Sequence, residues 1–277
     1  MENYYFLVDD DFLNAVNSEF RKDLINDIDI YVAESKMERD QCRSYVILCP
    51  YCNNLARLTT GIHKNGDKEV SPFVCAFCGE ATPYHKIVYS IKKAQILYDL
   101  AVEKNQINKQ NARVLLEQSI VVLATGIELY FKEIYILTMD LKYVKPEYSL
   151  HSKFNKDVKN DFLNVGIMVS KFKTDLNIDI TKLLGHSNLT KLKNLMLMRN
   201  VIVHNNGNVD APFLNNIPKD EKNKYDVGKP VPITERDIAE FISTTGIILD
   251  KVERKFDQII YPELKDRIIT KFSHLQH

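Results

Sequence analysis

Apolar positions divide the chain into three regimes. From Asp11 to about Arg43, Phe12, Val16, Phe20, Leu24 and Ile28 recur every four residues, close to the helical period, and Asp10 or Asp11 stands where a helix cap belongs. From Leu48 to about Pro83 the period is lost. Short strand-like runs flank a turn signal, Lys64-Asn65-Gly66-Asp67. From Tyr84 the helical pattern returns, with Ile87, Ile91, Ala94, Tyr98 and Ala101 marking one face. Asn111 to about Met139 is apolar on nearly every side, which predicts a central core helix, and Glu128 and Lys132 are spaced on it for an ion pair. Residues 155–175 and 189–204 predict two more helices. Pro212 to Pro232, with four prolines, reads as a loop, and Thr234-Glu235-Arg236-Asp237 opens a final helix over Ile238 to about Ile260.

The pattern predicts a mainly α protein in three parts: an acidic helical segment (1–47), a small β module (48–83) and a helical domain (84–277). Composition narrows the class. Of 277 residues, 45% are hydrophobic, which excludes a disordered tail protein. The net charge of zero excludes a generic basic nucleic-acid binder. That zero hides an asymmetry: residues 1–48 carry eleven acids and five bases, whereas residues 141–204 carry ten Lys and one Arg against five acids. Each stretch reads equally as a solvated face or, for the basic one, as a phosphate-facing surface. The N-terminus lacks the basic, then apolar, order of a leader, and the apolar run Ser119 to Ile127 is too short to span a bilayer. The expectation is a cytoplasmic protein without a membrane partner.

Four of the five cysteines form two C-x2-C pairs, Cys49-Pro50-Tyr51-Cys52 and Cys75-Ala76-Phe77-Cys78, separated by 22 residues. Four thiolates close a tetrahedral site with no open position, the structural arrangement for Zn2+. The gap fits a hairpin turning near Asn65-Gly66, and the module resembles a zinc ribbon. Such an ion contributes about 10 kcal/mol to folding a small module. His63 and His85 are the weaker alternatives as ligands. Cys42 is left over as a plain helix residue.

The second constellation is Arg199-Asn200-Val201-Ile202-Val203-His204, followed by the helix stop Asn205-Asn206-Gly207. Asn200 and His204 are four apart, so the amide is placed to orient the imidazole. Arg199 and His204 are five apart, about 140° around an ideal helix, so they converge only if the helix ends between them or a second copy contributes. The plain alternative is an exposed Arg and a His favoured near the helix C-terminus. Arg57–His63 and Arg267–His274 have similar spacing by coincidence.

Arg199-Asn200-x-x-x-His204-Asn205-x-Gly207-x-x-Asp210 resembles the signature of the HEPN superfamily. So does the order of a long apolar helix, a middle region, the Arg-to-His helix, a Pro-containing loop and a last long helix. The segment Ala124-Thr125-Gly126-Ile127-Glu128-Leu129-Tyr130-Phe131-Lys132 is similar to the central helix of that family. The resemblance covers about residues 84–262 and implies a HEPN-like helical bundle. It also implies a homodimeric, metal-independent endoribonuclease whose composite site takes Arg199 for the phosphate, His204 as acid/base and Asn200 for orientation. Family members often act as toxins or in antiviral (phage) defence, which implies an antitoxin or regulatory protein as a further partner. The alternative is a non-catalytic HEPN and zinc-ribbon scaffold that binds nucleic acid or a partner protein.

Overall fold

The computed structural model describes residues 6–7, 43–48, 51, 55–60, 78–105, 108–145, 150–217 and 222–274. The expected N-terminal helix, Cys42, and the turn at Asn65-Gly66 lie outside them. The chain divides into two compact units: residues 1–82, 136–155 and 254–277 form one, and residues 83–135 and 156–253 the other.

The first unit holds a three-stranded antiparallel sheet, β1 (Phe6–Leu7), β2 (Arg43–Leu48) and β3 (Leu55–Thr60), in that order. β2 and β3 pair from Arg43↔Thr60 to Leu48↔Leu55, so residues 49–54, with the first C-x2-C, join two hydrogen-bonded strands. Arg43 therefore opens a strand, five residues ahead of the change in character read from the sequence. Elsewhere in this unit the buried carboxylate of Asp140 accepts the backbone N–H of Leu150 at 2.6 Å, and the rings of Tyr51 and His151 meet edge-to-face.

The second unit is helical. Its elements are α1 (Pro83–Asn105), the greater part of α2 (Lys109–Tyr143), the end of α3 (His151–Val158), α4 (Val165–Leu176), α5 (Ile180–Leu184), α6 (His186–Asn205), α7 (Ala211–Asn216) and the first half of α8 (Glu235–His274). The protein is mainly α, as the periodicity predicts.

α1 begins at Pro83, whose fixed φ and missing N–H suit a first helical position. It buries Ile87, Ala94 and Ala101 on one stripe. α2 starts after Asn108, whose Oδ1 accepts the N–H groups of Gln110 and Asn111. Ile120, Leu123, Ala124, Ile127, Tyr130, Phe131 and Ile134 are all within a few per cent of full burial, so α2 is the core helix. Each such large side chain contributes about 1.5–3 kcal/mol relative to exposure. α1 and α2 approach closely where both carry small residues: the Ser119 hydroxyl donates to the carbonyl of Ala94 at 2.9 Å, and Gly126 faces Ser90. Phe131, Tyr135, Phe162 and Phe172 form one cluster of edge-to-face and tilted rings beside them.

Three sequence expectations change here. The single helix over 155–175 is broken: Lys159 has φ +36°, a 3-10 turn covers Asp161–Leu163, and the Asn164 side chain caps α4 by accepting from Gly166 and Ile167. The Asn164 side chain competes for backbone donors and starts a new helix rather than extending the old one, whereas the Asn160 side chain makes no capping bond. The supposed loop from Pro212 contains α7. Asp210 caps it through the Phe213 N–H, and Pro212 sits in its first turn, where proline is compatible with a helix. The final helix starts as expected, with Thr234 and Asp237 exchanging hydrogen bonds in a reciprocal cap, but it runs on to His274 through Pro262.

Candidate functional site

α6 carries Arg199, Asn200 and His204. Leu189, Leu192, Leu195, Met196, Met198, Val201 and Ile202 bury its inner face, and the helix continues unbroken to Asn205. Consecutive residues turn about 100°, so His204 stands about 140° from Arg199 and about 7.5 Å further along the axis. One chain therefore does not bring the two side chains to a common point. His204 is exposed, while Arg199 and Asn200 are half-buried.

Asn200 engages Arg199 rather than His204. Its Oδ1 accepts from Arg199 Nη1 at 3.1 Å, which corrects the expectation that the amide orients the imidazole. The Arg199 Nε is buried without a hydrogen-bond partner. A buried, unsatisfied guanidinium donor is costly, about 1–3 kcal/mol, unless an acceptor completes it.

Glu128, from α2, is the residue that spacing alone misread. The expected Glu128–Lys132 ion pair does not form; the ion pair from this part of α2 is Lys86 with Glu133, at 2.7 Å. Burial pushes the Glu128 carboxyl up from its ordinary value, and the charges of Arg199 and then Lys132 oppose that shift. The charge of Arg199 thus reaches Glu128, although the two form no ion pair. The signal for it lay in the segment that resembles the central HEPN helix, where Glu128 already stood.

The residues that follow His204 are spent on a turn. Asn206 (φ +49°) and Gly207 (φ +75°) are left-handed, and both direct their N–H groups to the Val201 carbonyl. Asn205 Nδ2 donates to the Asn208 carbonyl at 2.6 Å. The strand-like segment after the turn pairs with residues 228–231 through Val209 N–H to Lys229, Gly228 N–H to Val209 and Val231 N–H to Gly207. Arg113 of α2 locks this from below, donating from Nη2 to the Val231 carbonyl at 3.1 Å and pairing with Glu117 at 2.9 Å. A Cβ on Gly207 would meet Glu117 Oε1 at 3.1 Å, so this turn needs glycine for both conformation and space. Of the motif, Asn205, Gly207 and Asp210 build the fold. Arg199, Asn200 and His204 are left with no comparable structural task.

Of the proposed metal ligands, Cys49, Cys52 and Cys75 lie outside the described residues, as does His63. Cys78 is exposed at the turn that leads into α1. His85 is buried on α1, where burial lowers its pKa. Among the described residues no three His, Cys, Asp or Glu side chains are grouped closely enough to hold a metal ion, and no helix is long and apolar enough to cross a membrane. No protein-family model, curated protein or solved structure matches the chain.

Proposed function

We propose that the protein is a metal-independent endoribonuclease of HEPN type, with a composite site formed by two copies of the chain. The observation that carries this reading is the unbroken α6. It holds a guanidinium with an unsatisfied buried donor and an exposed imidazole about 140° away. Two copies related by a two-fold axis can supply the guanidinium of one and the imidazole of the other to one phosphate.

In the reaction, the 2′-oxygen of the RNA attacks the adjacent phosphorus and gives its proton to His204. The bond from phosphorus to the 5′-oxygen breaks, and that oxygen takes a proton from the protonated His204, which returns the imidazole to its neutral form. The products are a 2′,3′-cyclic phosphate and a 5′-OH. An imidazole suits proton transfer near neutral pH, and a guanidinium offsets the charge on the pentacoordinate phosphate through two donors. Asn200 holds Arg199 in place. Cys49, Cys52, Cys75 and Cys78 hold one structural Zn2+ that takes no part in the chemistry. A cytoplasmic toxin or antiviral effector restrained by an antitoxin is the biological setting this chemistry fits.

The test is RNA cleavage in excess EDTA by the parent, Arg199→Ala and His204→Ala, with zinc content followed in parallel. Activity that survives chelation in the parent and disappears in both variants is the expected result. A clean parent that cleaves no RNA, or variants that match it, leaves the non-catalytic scaffold as the better reading.

A further inference from the structure

A second feature lies beside the turn that ends α6. The first turns of α2 and α8 border a cleft of about 530 Å3, lined by Lys109, Arg113 and Arg236 together with Glu235. Two of its four charges are engaged: Arg113 pairs with Glu117, and Glu235 Oε1 accepts from Asn105 Nδ2 at 2.8 Å. Lys109 and Arg236 are exposed and make neither an ion pair nor a hydrogen bond among the described residues. With Glu117 counted, the cleft keeps a net positive charge.

Folding does not explain those two cations. Lys109 is the first residue of α2 and Arg236 the second of α8. The helix dipole disfavours a cation there, by about 0.3–1 kcal/mol at an exposed position. A cleft of about 710 Å3 between α6, α7 and α8 differs: its Lys191 is paired with Glu240 at 2.6 Å, and Asp237 in its lining balances the charge of Lys224.

The cleft is also close to the candidate site. Arg113 Nη2 lies 3.7 Å from where a Cβ of Gly207 would stand. Gly207 is three residues from His204, so their Cα atoms are at most about 11 Å apart.

We propose that Lys109 and Arg236, with Arg113 behind them, bind a backbone phosphate of the RNA strand next to the one cut at Arg199 and His204. This rests on the nuclease reading. The two cations neutralise phosphate charge and fix where the strand lies, so the subsite sets affinity and register but takes no part in bond breaking.

The test uses a 2′-O-methylated single-stranded RNA, which lacks the attacking hydroxyl, and compares the parent with Lys109→Gln/Arg236→Gln. Each phosphate contact on a single strand contributes about −0.7 to the slope of log affinity against log salt. The double variant loses one phosphate contact and is expected to bind with a slope shallower by about 0.7 and, at 0.1 M salt, with affinity about 5-fold weaker. Its melting temperature stays equal or rises, because both charges opposed their helix dipoles. Lys173→Gln/Lys182→Gln, on α4 and α5, serves as the charge-matched control and leaves the slope less changed. A parent that binds the RNA while the double variant keeps the same slope overturns the subsite and leaves the nuclease reading standing. A parent that does not bind the RNA overturns both. If inorganic phosphate stabilises the parent but not the double variant while the RNA slope is unchanged, the cleft holds a free anion and the RNA assignment fails.

Discussion

Arg199 Nη1 and Asn200 Oδ1 share a hydrogen bond of 3.1 Å, so two neighbours on α6 act as one unit. Asn200 limits the guanidinium to the rotamers that keep this bond. Asn200→Ala removes the restraint without touching the core and is expected to cut RNA cleavage about tenfold to hundredfold, matching a loss of about 1–3 kcal/mol. Asn200→Asp keeps the acceptor and retains most of the rate. Rates and melting curves for both variants check this; equal losses in the two would remove the positioning role.

Arg199 and His204 diverge on one helix, so a working site needs one residue from each copy. Mixing Arg199→Ala with His204→Ala subunits creates dimers in which one of two sites is intact. With random exchange, half the dimers are mixed, and about one quarter of parental activity returns. Two inactive proteins that stay inactive when co-refolded would falsify a site with one Arg and one His from different copies.

Gly126 sets how closely α1 and α2 pack. A Cβ there would stand 2.4 Å from the Ser90 Cβ and 3.1 Å from Ile87 Cδ1. Gly126→Ala is expected to cost about 1–3 kcal/mol through forced separation of the helices, despite alanine's better helix propensity. Ser90→Gly in the same chain relieves the closest contact. A double-mutant cycle from urea denaturation then shows a favourable coupling above about 1 kcal/mol. Additive effects would mean the helices adjust elsewhere.

Burial raises the Glu128 carboxyl above its unperturbed value of 4.5. The folded state thus holds this proton more tightly than the unfolded chain does. Stability falls as pH rises from about 4.5 through the raised pKa and is level beyond it. Glu128→Gln has no proton to lose there. Its melting temperature, measured from pH 4 to 7, gains on the parent's as pH rises; parallel curves would show that the carboxyl is unperturbed.

His85 titrates the other way. Burial lowers its pKa below 6.5, so the unfolded chain takes up the proton first. The contribution is present above pH 6.5 and is lost as pH falls towards the lowered value. His85→Leu is expected to flatten the melting temperature between pH 5 and 6.5, and a persisting slope there would point to another group.

The sequence by itself determined the helices whose apolar stripes are long: α1, α2, α6 and the start of α8, each marked by residues such as Ile87, Phe131, Leu195 and the Thr234–Asp237 cap. It also placed the stop after His204, because Asn206 and Gly207 are residue types that tolerate a left-handed backbone. Periodicity failed where a polar side chain decides the boundary. Asn164 and Asp210 start α4 and α7 by satisfying backbone donors, an event that leaves no apolar repeat. Only the tertiary structure decided who meets whom. Asn200 turned to Arg199 because the helix placed their polar atoms within reach. Glu128 came under the charge of Arg199 because α2 and α6 bring them near each other across just over seventy positions of sequence. Lys109 and Arg236, more than a hundred positions apart, came to border one cleft for the same reason. Local spacing encodes which face a side chain takes, whereas charge partners are set by packing between distant helices, and no short pattern carries that information.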